Sequence, residues 1–217
     1  MNAPVLPRPD TDVNLLDGRT VALERLDPAR HVPELWESIG RHDELWTHIP
    51  SGPFASEKDF HDWAVDRAAR AGVHLFAIRD KKSGKAEGLY FLLRVDPAQG
   101  FSEIGLTYGP ALQRTVAGTE AFYLLANYVL GTLGYRRLEW RCGPENVASN
   151  RAALRYGFTR EGLLRQTSWT KGVNWDTVYY SILDSEWPAI AARLQAWLAP
   201  RNFDADGRQI KALSAFS

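Results

Sequence analysis

Three apolar runs, Val73 to Arg79, Gly88 to Val95 and Phe101 to Tyr108, follow one another with only the polar stretches Lys81 to Lys85 and Asp96 to Gly100 between them. Short turn-forming connections between apolar runs read as an antiparallel meander. A sheet begun in this way has to be completed and covered, and the flanking sequence shows with what. One strand precedes it at Thr20 to Leu26, where Val21 and Leu23 alternate with Ala22 and Glu24. Between them lie a helical stretch around Leu35, Trp36 and Ile39, a break at Pro50, Gly52 and Pro53, and a helix through Ala71 that opens on Ser56 with Asp59 three residues on. After the meander, Phe122, Leu125, Val129 and Leu133 recur at helical spacing and Gly134 stops them. A strand at Leu138 to Cys142, a helix from Asn146 to Tyr156 ended by Gly157, strands near Gly162 to Thr170 and Thr177 to Leu183, and a last helix near Ser185 to Leu198 complete the order. The expectation is a mixed α/β or α+β fold in which helices layer one sheet.

At 217 residues the chain suits one domain and is short for two. We expect a flexible N-terminal tail over 1–19, the domain over 20–199, and a mobile C-terminal tail over 200–217. Acidic and basic residues cancel to a formal net charge of zero, so any phosphate site has to be local, and no basic cluster interleaved with aromatics points to nucleic acid. One cysteine, Cys142, excludes an intramolecular disulfide framework and suits a reducing compartment. No apolar run approaches the roughly 18 residues of a membrane span, and Met1 to Asp10 lacks the apolar core of a secretion signal. The expectation is a cytoplasmic protein without membrane contact. The five histidines form no ligand set such as HExxH, so no metal is expected.

Chemistry concentrates in two segments. Gln113-Arg114-Thr115-Val116-Ala117-Gly118-Thr119-Glu120-Ala121 lies between the third meander strand and the long helix. A helix N-terminus leaves backbone N–H groups without intrahelical partners and carries partial positive charge, so a loop there can hold a pyrophosphate, with Gly118 permitting close approach and Arg114 adding charge. Taken alone, the stretch is equally an ordinary helix start capped near Thr119. The second segment, Asn146-Val147-Ala148-Ser149 followed by Arg155-Tyr156-Gly157-Phe158, puts Ser149 and Tyr156 on one helical face; by itself, Asn146 is an N-cap and Gly157 a C-terminal stop.

Together the segments resemble the GNAT superfamily of N-acyltransferases and, within it, the RimJ/RimL group of ribosomal-protein N-terminal acetyltransferases, over roughly Thr20 to Trp187. Gln113 and Gly118 match the family's loop pattern with Val116 at its first glycine; Thr119, Glu120 and Ala121 match what often follows; Asn146, Ser149, Gly157 and Phe158 match the second motif. The resemblance implies a mostly antiparallel sheet with one splayed parallel strand pair, helices on both faces, and acyl-CoA as co-substrate in the gap. Pantetheine would lie along Leu106, Thr107 and Tyr108, the pyrophosphate on the N–H groups of Arg114, Thr115, Val116, Ala117, Gly118 and Thr119, Asn146 would hydrogen-bond pantetheine, and Ser149 would lie near the thioester sulfur. The tyrosine acid of many members falls at Ala153, which leaves Ser149 as first choice of acid and Tyr156 or Tyr108 as alternatives.

Amine attack on a thioester needs a neutral amine, a donor for the carbonyl oxygen and a proton for the departing thiolate. Alternation along Phe101 to Tyr108 puts Glu103, Gly105 and Thr107 on one face, with Gly105 opening space beside Glu103. Glu103 is the candidate base, a role a glutamate on this strand plays in several members of the resembled family, and its alternative is a structural ion pair. Cys142 reads as a small buried hydrophobe rather than an acyl carrier. Trp36, Trp46, Trp63 and Phe54 fall where the family builds an acceptor pocket, although packing explains each of them singly. The expected reaction is transfer of an acetyl or similar group to a protein N-terminal or small-molecule amine; the rival is a catalytically silent CoA-binding or regulatory domain. The resemblance also allows a homodimer.

Overall fold

A computed structural model describes residues 5–216. Eight strands form one sheet in the order β1-β2-β3-β4-β5-β6-β8-β7. The strands are β1 (Leu15–Asp17), β2 (Val21–Arg25), β3 (His74–Asp80), β4 (Ala86–Asp96), β5 (Phe101–Tyr108), β6 (Arg137–Cys142), β7 (Thr159–Thr170) and β8 (Val173–Leu183). Helices α1 (Pro28–Leu35) and α2 (Glu57–Ala68) lie between β2 and β3, α3 (Val116–Ala126) between β5 and β6, α4 (Val147–Tyr156) between β6 and β7, and α5 (Trp187–Leu198) follows β8. The expected meander is β3-β4-β5, antiparallel throughout. One pair is parallel, β5 with β6, because α3 carries the chain back across the sheet between them.

Local chemistry explains the helix ends. Ser56 accepts the Asp59 N–H at 3.2 Å and donates its hydroxyl to Asp59 Oδ2 at 2.8 Å, the cap the sequence suggests. Asp27 caps α1, and Gly157 stops α4 in the left-handed region at φ +106°. Helices α1 and α3 each run on into a π-helical turn, Trp36–Gly40 and Asn127–Thr132, and Gly134 then reverses the chain at φ +67°.

Two apolar layers sandwich the sheet. On one face Val32 and Leu35 of α1 and Phe60 and Ala64 of α2 pack against Leu75, Ala77, Leu89 and Phe91. The opposite face, formed by Phe76, Ile78, Tyr90, Leu92, Ile104, Leu138 and Trp140, receives Ala121, Phe122 and Leu125 of α3, Ala153 and Tyr156 of α4, and Leu194 and Trp197 of α5. Helices therefore cover both faces. Glu120, which follows Thr119 in the loop motif, is buried, and its carboxylate accepts the N–H groups of Arg19 at 2.7 Å and Thr20 at 2.6 Å. Its part is to fasten α3 to the β1–β2 turn. Among the described residues no helix is long and apolar enough to cross a membrane.

The expected tails differ from the structure where they are described; residues 1–4 and Ser217 lie outside the described part. Leu15–Asp17 pair with β2 as an edge strand, and the buried Thr11 hydroxyl reaches Tyr128 Oη at 3.2 Å. At the other end Asn202 is buried, donates to the carbonyls of Trp197 and Lys211, and accepts the Lys211 N–H, while Leu213 packs into the core. Both segments are polar in composition but held by contacts distant in sequence, which composition does not reveal.

Candidate active site

The parallel pair does not stay paired. Its ladder runs from Phe101↔Arg137 to Ile104↔Trp140 and ends there. Beyond Ile104, β5 continues to Tyr108 in register with β4 alone, and β6 continues to Cys142 in register with β8 alone. The backbone of Leu106, Thr107 and Tyr108 thus has no β6 partner on the side facing the gap. Backbone groups in such a place need hydrogen-bond partners, and an extended molecule with amide groups fits the cleft. The Gln113 side chain takes one of them, donating from Nε2 to the Tyr108 carbonyl at 3.0 Å.

The gap opens toward the loop before α3. Thr115, in extended conformation, caps this helix: its Oγ1 accepts the Gly118 N–H at 3.1 Å. Thr119, read from sequence as the residue near the cap, sits one turn inside the helix and donates back to the Thr115 carbonyl at 3.2 Å. The N–H groups of Val116 and Ala117, the first two helical residues, have no partner among the described residues. Arg114 is the left-handed residue of the loop, at φ +60°, and forms no ion pair with a described carboxylate. Gly118 has a structural reason to be glycine: a Cβ there would stand 2.5 Å from the Leu112 carbonyl oxygen and 3.1 Å from the Tyr108 ring. Its N–H is taken by the cap, so the free donors are those of Val116 and Ala117. Arg155, from α4, donates to Thr119 Oγ1 at 3.1 Å, lies over the Trp197 ring, and adds positive charge to the same helix end.

On the far wall Asn146 caps α4, its Oδ1 accepting the Ser149 N–H at 3.0 Å. Ser149 Oγ accepts the Trp140 indole N–H at 2.9 Å, so its own hydrogen remains to be donated. Cys142 is buried nearby and burial pushes its thiol up, which suits the reading of an inert small hydrophobe. The two alternative acids are otherwise engaged. Tyr108 donates to the Gly118 carbonyl at 2.6 Å and is hydrogen-bonded to Tyr90; Tyr156 stacks on Phe122 and reaches the same carbonyl at 3.4 Å. Burial pushes both phenols up. Position 153 is an alanine, fully buried in the core, and carries no phenol.

Glu103 lies at the base of the splay, on the α1 and α2 face, opposite Glu139 in the parallel ladder. Its Oε2 is 3.5 Å from Arg94 Nη1 and 3.3 Å from Arg141 Nε. Burial raises its pKa to about 7; the Arg94 guanidinium pulls it down and the Glu139 carboxylate pushes it up again. A carboxyl poised near neutrality can take up a proton under ordinary conditions. Thr107, on the same strand, is buried with no partner for its hydroxyl. Glu139, Arg94, Arg141 and Trp140 did not emerge from the sequence as site residues. For Glu139 a signal existed: it alternates with Leu138 and Trp140, so it has to point to the face opposite theirs.

The aromatic residues of the helical insert form one packed group. Trp46 is fully buried, donates to the Ile39 carbonyl at 2.9 Å, and meets Phe54, Phe60 and Trp63 edge-on; Trp36 joins through Phe60. For Trp46 packing is the role, whereas Trp63 also reaches Phe91 on the sheet.

The acetyltransferase (GNAT) domain family matches residues 21–159. Among solved structures, a GCN5-related N-acetyltransferase from Brucella melitensis is 44% identical, with a TM-score of 0.92 over 97% of this chain and 96% of its own. Among curated relatives, the uncharacterized N-acetyltransferases YnaD and YoaA of Bacillus subtilis are 32% identical over 85 residues and 35% over 82. These matches take in 39% and 38% of this chain, which spans about half the length of each relative, 50% and 46%.

Proposed function

The chain belongs to the GNAT acetyltransferase family, and from that premise we propose that it moves an acyl group, acetyl in the simplest case, from acyl-CoA directly to a primary amine. The observation that carries this reading is the placement of Glu103, a half-buried carboxyl whose pKa burial pushes up to about 7, at the base of the β5/β6 splay, with Ser149 held on the other wall.

The residues fit the co-substrate. The free N–H groups of Val116 and Ala117, with Arg114 and Thr115 beside them, suit a pyrophosphate, and the unpaired edge of Leu106, Thr107 and Tyr108 suits pantetheine amides, with the Asn146 side-chain amide as a further donor. Acyl-CoA supplies the thioester carbonyl that the amine attacks. Glu103 takes the amine proton, directly or through water, and Ser149, which accepts the Trp140 N–H, donates a hydrogen bond to the departing sulfur, with solvent supplying the proton that completes the CoA thiol and keeps the serine neutral. Base and hydrogen-bond donor thus approach from opposite sides of the sheet.

The acceptor is a protein N-terminal amine or a small-molecule amine. Structures sharing this fold include an acetyl transferase from Salmonella typhimurium that modifies the N-terminal serine of a 50S ribosomal subunit protein, 20% identical, and a spermidine N-acetyltransferase from Vibrio cholerae bound to CoA and spermine, 15% identical. Such likenesses are of fold alone, and the fold serves both acceptor classes. The test is release of free CoA thiol from acetyl-CoA in the presence of N-terminal peptides, polyamines and amino acids. Release that depends on an amine supports transfer. Saturable binding of acetyl-CoA with no thiol release across the panel would instead support the silent-domain reading, which the loss of a phenol at Ala153 favours.

A further inference from the structure

Glu103 and Glu139 occupy matching positions on the two parallel strands and converge on the same two cations. Arg94 Nη1 stands 3.5 Å from Oε2 of each. Arg141 reaches Glu139 Oε2 at 2.7 Å through Nη2 and Glu103 Oε2 at 3.3 Å through Nε. The sharing is unequal. Glu139 also receives Arg137 at 2.9 and 2.8 Å on Oε1, so of the two carboxylates only Glu139 holds charge-assisted bonds shorter than 3 Å, while Arg94 is shared at equal distance. The charged groups facing Glu103 are Arg94 from β4 and Glu139 and Arg141 from β6; one step beyond, Glu161 of β7 holds the other side of Arg137 at 2.7 Å.

We infer that Glu139 is a positioning residue for the transfer reaction: it outcompetes Glu103 for the guanidinium group of Arg141 and thereby leaves Glu103 able to take up a proton. Two like charges beside each other split into one that stays charged and one whose proton affinity rises, and the hydrogen-bond geometry decides which is which. Without Glu139, Arg141 could turn its full fork onto Glu103 and hold it as a permanently charged ion pair, which is a poor base. The acyl-transfer reading, with Glu103 as base, is the ground this inference rests on.

The test is Glu139→Gln, which keeps the side-chain volume and removes the charge. The primary readout is the titration midpoint of the Glu103 carboxyl, followed by NMR of protein labelled at glutamate side-chain carbons and assigned by the signal lost in Glu103→Gln. The midpoint is expected to fall by about one pH unit, a tenfold loss of proton affinity. The acidic limb of kcat/KM should move to lower pH by the same amount, with KM for the amine unchanged. An unmoved or raised midpoint in a folded Glu139→Gln overturns the inference. A midpoint that falls while the rate profile stays put shows that Glu139 sets the proton affinity of Glu103 but removes both from the transfer reaction, and so overturns the inference. If circular dichroism shows Glu139→Gln unfolded, Arg137→Gln carries the test with opposite sign: Glu139, freed of Arg137, draws harder on Arg141, and the Glu103 midpoint rises. No rise overturns the inference.

Discussion

Trp140 donates its indole N–H to Ser149 Oγ at 2.9 Å. Accepting that bond leaves the serine hydroxyl its own hydrogen to donate, and a departing thiolate is stabilised by such a donor. Ser149→Ala is therefore expected to slow the chemical step, and to slow it less when the leaving thiol is made more acidic. Equal losses with CoA and with a lower-pKa thiol donor would show that Ser149 only positions the co-substrate. The same substitution leaves the Trp140 N–H without a partner, a cost of about 1 to 3 kcal/mol that thermal unfolding will register.

Val116 departs from the family's glycine, and the structure shows how the chain accommodates it. As the first residue of α3 it lies outside the left-handed region, and Arg114 takes the positive φ instead. Proline is well tolerated at the first helical position, and the extended conformation of Thr115, φ −106° and ψ 167°, is what a residue before proline adopts. Val116→Pro should thus fold while losing one free N–H. If that N–H holds pyrophosphate, about 1.5 to 3 kcal/mol is lost, or roughly 10-fold to 150-fold in CoA affinity by titration calorimetry. Unchanged affinity would exclude this donor from the site, and strong tightening by Val116→Gly would mark the natural loop as impaired.

Gly118 makes a prediction about folding rather than binding. A methyl group at this position meets the Leu112 carbonyl at 2.5 Å, and that carbonyl is backbone, unable to rotate away. Gly118→Ala should destabilise the protein by about 1 to 3 kcal/mol, seen as a lower Tm, even in the absence of CoA. A wild-type Tm would show that the helix start can shift to make room.

Most of the architecture was legible because alternation and helical spacing, stopped by Gly134 and Gly157, are local signals. The three-residue strand Leu15–Asp17 was not, since its pairing with β2 is all that defines it. At the site, Glu103 was accessible from the alternation of one strand, and Asn146 and Ser149 from one motif. The charged groups around Glu103 were hidden because Arg94, Glu139 and Arg141 come from two other strands and meet only through register. Resemblance gave Gly118 a ligand-binding reading, whereas the close approach of Leu112 appears only in three dimensions.

The raised pKa of Glu103 also has a consequence for stability. Between its ordinary value of 4.5 and about 7 the folded protein binds a proton that the unfolded chain has released, so this carboxyl lowers stability as pH rises through that window. Relative to wild type, Glu103→Gln should gain stability from about pH 5 to pH 7 and keep the gain above it. Parallel stability curves for the two proteins would mean that Glu103 is ionised like an ordinary surface carboxylate.

The central claim, that this half-buried carboxyl is the base of an acyl transfer, is tested most directly by the pH dependence of kcat/KM in wild type and Glu103→Gln with the same amine. The wild-type profile should carry a limb near pH 7 from Glu103 in addition to that of the amine itself. Glu103→Gln should lose that limb and roughly 100-fold to 10,000-fold in turnover, with CoA affinity little changed. Wild-type turnover at saturating amine, with the limb near pH 7 still present in Glu103→Gln, would contradict the account and return Glu103 to a structural ion pair.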